Sequence, residues 1–191
     1  SDLVAALDAY NKALALEPNA DVAERRKAVQ ERAALEALPA QYRAIPSSPQ
    51  VTRADLAALV GIRLPDLVQA SPVRDIGVLT DVRGQWAERW IAAVARAGLV
   101  EAFPNHTFQP RGVVRRVDLA QTVSRLLNVV AASQPSRAQT WVGARGRFSD
   151  MTTGHLAYPA ASMAVAAGAM TAVDGAFQPT RGGTGAEAMA A

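Results

Sequence analysis

The sequence predicts an all-α protein, mainly helical with extended loops between its helices. Three observations carry that expectation. Half of the 191 residues are hydrophobic, yet aromatics make up only 5%, so the apolar faces are small and suited to close helix packing. Apolar residues recur at helical spacing, as in Trp86, Trp90, Ile91 and Val94, then in Leu119, Val123, Leu126 and Leu127. Finally, the unit of helix, Pro- and Asn-containing turn, and helix that spans Asp81 to Leu127 is repeated.

Aligning Asp81 with Asp150 sets Trp86 opposite His155 and Gly98 near Gly168. It also sets Phe108-Gln109-Pro110 opposite Phe177-Gln178-Pro179, and Asp118 opposite Glu187. Asn105 and Asp174 each precede their phenylalanine by three residues, at a position where a turn uses them. A partial third unit, VTRADLAALV, runs from Val51 to Val60.

Taken in order, the chain opens on a helix whose apolar residues Ala5, Tyr10, Ala13, Leu14 and Leu16 stop at Pro18-Asn19. Asp21 to Leu38 reads as the next helix, with Val22, Val29, Ala33 and Leu35 inward and Glu24, Arg25, Lys27, Glu31 and Arg32 solvated. AIPSSPQ, residues 44–50, reads as a linker and a domain boundary. Leu64-Pro65 to Ile76 predicts a short helix and loop. A second polar linker covers 131–147, with Trp141 docked onto a neighbouring unit. The tail after Glu187 is Ala-rich and stops abruptly, in mid-helix by the repeat's logic.

The recurring pattern of acid, aromatic-Ala, Gly, Phe-x-Pro and Thr-Arg-x-acid resembles the S-layer homology domain. The opening series A-x4-Y-x2-A-L-x-L-x-P-N is similar to the second helix of a tetratricopeptide repeat, which implies an array begun upstream. These resemblances imply a tetratricopeptide-like helical hairpin over 1–43. A pseudo-threefold bundle over 44–191 follows, with copies at about 51–70, 81–128 and 148–191. They also imply an exported protein of the bacterial envelope, periplasmic or at the cell surface. Its expected role is to anchor a larger protein non-catalytically to cell-wall polysaccharide, peptidoglycan or a secondary wall polymer. The alternative is an adaptor that binds other envelope proteins through the tetratricopeptide-like helices and holds no glycan.

Thr52 with Asp55, and Thr184 with Glu187, have capping-box spacing, and capping alone accounts for them at about 1 kcal/mol per helix. Arg53 and Arg116 are different, because a cation is mildly unfavourable at a helix N-terminus. They serve either as ligand-binding forks or as bridges between neighbouring copies. The resemblance implies glycan pockets between copies, formed by Thr52, Arg53, Asp55, Trp86, Arg115, Arg116, Asp118, Thr184 and Glu187. Trp86 either stacks on a sugar or packs in the core. The copies depart from the pattern: Arg115 replaces a threonine, and Gly185 replaces an arginine. The first copy lacks the Asp-to-Phe-Pro half unless residues before Val51 supply it. One or two pockets are therefore expected to be dead.

Other chemistries find little support. Net charge is +3, but no groove-reading motif accompanies the scattered arginines, so nucleic acid is not an expected partner. No apolar run reaches the length of a membrane span, and cysteine is absent. No signal peptide is visible, and the chain starts at Ser1, as a processed or trimmed protein would. His106 and His155 sit in different copies, and Ser47, Ser48 and Ser162 have no nucleophile context. No enzyme, metal site or cofactor is expected.

Overall fold

The computed structural model describes residues 2–191. It is all-α, and among the described residues the only extended pairing is three isolated bridges. The chain divides into two compact units, the first ending at Arg43 and the second running from Ala44 to Ala191.

In the first unit α1 (Asp2–Leu16) packs on α2 (Ala20–Glu36). The Asn19 side chain caps α2 by accepting from the amides of Asp21 and Val22. Neither helix has a buried residue. Leu35, expected on the inner face, is exposed, as is Leu16 at the end of α1. Leu35 lies two residues beyond Ala33, about 200° round the helix from the half-buried Val22, Val29 and Ala33.

The second unit holds α4 (Arg53–Arg63), α5 (Pro65–Ala70), α6 (Glu88–Arg96), α7 (Arg116–Ser133), α8 (Pro135–Ala138), α9 (Tyr158–Ala166) and α10 (Gly185–Ala190); the short α3 (Ala40–Ala44) spans the division between units. Helix α6 packs on α4, and α9 on α7. Trp86 lies in the turn ahead of α6 rather than within the helix.

Two loops are built alike. Asp81 accepts from the amides of Phe108 (2.8 Å) and Gln109 (2.7 Å), and Asp150 accepts from Phe177 (2.8 Å) and Gln178 (2.7 Å). Each clasp holds its glutamine in the left-handed region, at φ 55° and 59°, where few non-glycine residues sit. It also seats a phenylalanine with no exposed surface. Burial alone raises the Asp150 carboxyl, but the Phe177 and Gln178 amides outweigh it and hold the group below the ordinary carboxylate range.

The starts of α4, α7 and α10 meet in a closed ring of backbone hydrogen bonds. Val51 N donates to Gly183 O (2.9 Å), Gly183 N to Val114 O (2.8 Å), and Val114 N to Val51 O (2.9 Å). Beside the ring, the first amide of each helix reaches a different loop: Arg53 N to Gly112 O, Arg116 N to Arg181 O, and Gly185 N to Ser48 O. The third acceptor comes from the segment expected to be a linker. Ile45–Ser47 is instead a 3₁₀ turn packed on α10, and Ile45 is 1% exposed. Its Pro and Ser residues resemble linker chemistry, but the buried isoleucine decides the matter.

Candidate functional site

The three helix starts define three equivalent positions, occupied by Arg53, Arg116 and Gly185. Each arginine follows its N-cap residue and reaches into the neighbouring loop.

Arg116 is the more completely engaged. Its Nε donates to Phe177 O (2.7 Å), its Nη2 to Thr171 O (2.5 Å), and its Nη1 to the Glu187 carboxylate. The guanidinium lies 5.0 Å from the Phe177 ring centroid, and the residue is 1% exposed. Glu187 also accepts from Arg181 and from the Thr184 amide. Burial pushes the Glu187 carboxyl up. The Arg181 and Thr184 hydrogen bonds, with the charges of Arg116 and Arg181, overcome that and lower it to about 2. Arg116 is therefore a bridge in this structure, and a polymer could not reach it without breaking these bonds.

Arg53 begins the same way. Its Nε donates to Phe108 O (2.7 Å) and its Nη2 to Glu101 O (2.5 Å), with the guanidinium over the Phe103 and Phe108 rings at 4.8 and 4.6 Å. The third contact differs. The acid matching Glu187 is Asp118, and Arg115 holds it through Nε (2.9 Å) and Nη2 (3.0 Å). Burial raises the Asp118 carboxyl, but hydrogen bonds from the Arg115 side chain and backbone outweigh it and set the group below its usual value. Arg53 Nη1 consequently makes no hydrogen bond among the described residues, and burial shifts the Arg53 guanidinium downward. Arg53 is half-buried, with its outer edge on a cleft of about 520 Å³. The cleft's polar lining includes Arg115, Asp118, Gln121, Arg125 and Glu101.

Arg115 also alters the cap of α7. Its own amide donates to Asp118 (2.9 Å), but a guanidinium has no acceptor, so the reciprocal half of a capping box is missing. At α4 and α10 the box is complete, through Thr52 with Asp55 and Thr184 with Glu187. Thr52 and Asp55 do not line the Arg53 cleft.

At the third position there is no side chain. A Cβ at Gly185 would land on the Ile45 carbonyl, so the backbone of the Ile45–Ser47 turn fills the space an arginine would need. Trp86 is half-buried beside Trp90, with ring centroids 5.9 Å apart, and also lies off the cleft. His106 and His155 are engaged in loop contacts with Ile76 O and the Ala157 amide. Among the described residues there is no group of three or more side chains fit to hold a metal, and no helix is long and apolar enough to cross a membrane.

Sequence reasoning did not single out Glu101, Gln121 or Arg125. One usable signal existed: Asp118, Gln121 and Arg125 stand at i, i+3 and i+7 on one face of α7. Nothing local marks Glu101.

The profile of the S-layer homology domain matches residues 79–120. The chain is 27% identical over 78 residues to a cellulosome-anchoring protein of Acetivibrio thermocellus, a match covering 40% of this chain. The match spans 17% of that protein's length. An S-layer homology domain is thus found at residues 79–120, the stretch that holds the Asp81 clasp, most of the Arg53 cleft and the start of α7.

Proposed function

We propose that residues 44–191 anchor a larger exported protein to the cell envelope by holding an anionic wall polymer, peptidoglycan or a secondary polysaccharide, in the Arg53 cleft. No bond is made or broken in this role. The observation that carries the reading is the free outer edge of Arg53, presented beside Arg115 and Arg125 in a cleft open to solvent. A guanidinium edge with unused donors suits a carboxylate or phosphate, and aromatic and proline surface from Phe103 and Pro104 suits a sugar ring beside it. The match to the S-layer homology domain and the anchoring role in the relative's name support the same reading.

In this proposal 51–70, 81–128 and 148–191 are related units around the hydrogen-bonded ring. Residues 1–43 end a tetratricopeptide-like array that meets other envelope proteins. The closure of the Arg116 and Gly185 positions favours a second reading, a protein adaptor without glycan binding. Co-sedimentation with purified wall sacculi separates the two. The anchor reading expects pelleting at low salt that falls by about tenfold or more in Arg53→Ala, equivalent to one lost charge-assisted contact. Absence of pelleting by the unaltered protein at low salt overturns it in favour of the adaptor.

A further inference from the structure

Glu101 sits where three arginines converge. Its carboxylate takes Arg125 Nη2 at 2.7 Å and faces Arg74 Nη1 at 3.5 Å, while its backbone carbonyl takes Arg53 Nη2. Arg74 reaches this place by lying across the C-terminal end of α6, with its amide bonded to Arg96 O at 2.7 Å. Gly98 makes room for it: a Cβ there would overlap the Arg74 guanidinium, and the residue has φ +66°. The equivalent Gly168 has nothing within 4 Å, and Thr171 stands where Glu101 does. Glu101 and Arg125 therefore line the open cleft, and Arg74 flanks it in the adjoining hollows that it shares with each of them, whereas Thr171 brings no carboxylate to the Arg116 position.

We infer that Glu101 is an internal stand-in for a ligand anion, a specificity residue that holds Arg74 and Arg125 ready and yields them when a ligand carries its own charge. This rests on the anchor reading. It narrows the ligand to a glycan bearing anionic substituents on more than one sugar, one for the Arg53 edge and one for the Arg74–Arg125 pair. Asp118 does not compete in the same way, because Arg115 already clamps it. Asp75, beside Arg74, is turned to the Gly77 amide. A neutral or singly charged sugar would leave Glu101 in place. The internal pairs are half-exposed, so parting them costs little stability.

Calorimetric titration of the full chain with oligogalacturonate, a glycerol-phosphate polymer and neutral dextran provides the test. Glu101→Gln should bind a charged polymer more tightly than the unaltered protein, on the order of tenfold, because one like charge is removed beside the bound anion. Its affinity should fall more steeply with salt, and dextran should be unaffected. A gain on oligogalacturonate assigns the site to carboxylates, and one on the other polymer assigns it to phosphates. Arg74→Ala with Arg125→Ala should cancel the gain. Equal or weaker binding by Glu101→Gln, with an unchanged melting profile and Arg53→Ala still losing affinity, overturns the inference and leaves the anchor reading standing. Failure of both the unaltered protein and Glu101→Gln to bind either charged polymer overturns both.

Discussion

Arg53 and Arg116 occupy matching places and make matching first contacts, yet one faces solvent and the other is sealed. Both donate Nε to the carbonyl of a buried phenylalanine and Nη2 to a loop carbonyl three residues beyond a helix-ending glycine. What separates them is the identity of the next helix's N-cap. With Thr184 at that position, Glu187 has an oxygen left over for Arg116. With Arg115 there, Asp118 is taken and Arg53 keeps a free edge. A side chain that makes no hydrogen bond to Arg53 thus decides whether that arginine's third donor is taken or left free.

The largest test of this contrast is stability. Arg116→Ala leaves the Phe177 and Thr171 carbonyls without this donor and takes the buried guanidinium away from Glu187, which keeps Arg181 and the Thr184 amide, and should destabilise the fold by about 3–5 kcal/mol in a urea titration. Arg53→Ala removes two bonds at a half-open site and should cost about 1–2 kcal/mol by the same measurement. Equal losses would break the comparison. Gly185→Ala tests the third position. Its methyl meets the Ile45 carbonyl, and overpacking of that kind should lower stability by about 1–3 kcal/mol. A neutral result would mean the Ile45–Ser47 turn is not fixed against α10.

Glu187→Gln sharpens the picture through pH. The folded-state pKa of Glu187 is about 2, below the usual 4.5, so its ionised form adds stability above pH 4.5. That contribution fades as pH falls from about 4.5 toward 2. The variant should be less stable at pH 7 and lose less on acidification across that window, as read by thermal melts at several pH values. Identical acid profiles would show that Glu187 is not bonded as described.

Much of the frame was legible from the sequence because it rests on local spacing. The caps at Thr52 and Thr184, the helix ends at Gly98 and Gly168, and the pairing of Phe108 with Phe177 all follow from short patterns. The carboxylate clasps of Asp81 and Asp150 explain why those spacings are kept, although the acids lie 27 residues from the amides they hold. The division of labour between the two arginines was not legible. Arg116 depends on a carboxylate 71 residues away, and the alternative roles could be separated only by seeing which donors were occupied. Ile45 was hidden for a related reason: AIPSSPQ has the composition of a linker, and only the missing side chain at Gly185 gives it a place to pack.

The central claim is that one arginine is open to ligand while its counterpart is not. Arginine-detected NMR can follow the Nε and Nη signals of both during titration with soluble fragments of the wall polymer. The account predicts that the Arg53 signals move in a saturable way while those of Arg116 stay fixed. Movement of Arg116 to the same extent, or of neither at polymer concentrations that pellet the protein, would contradict it.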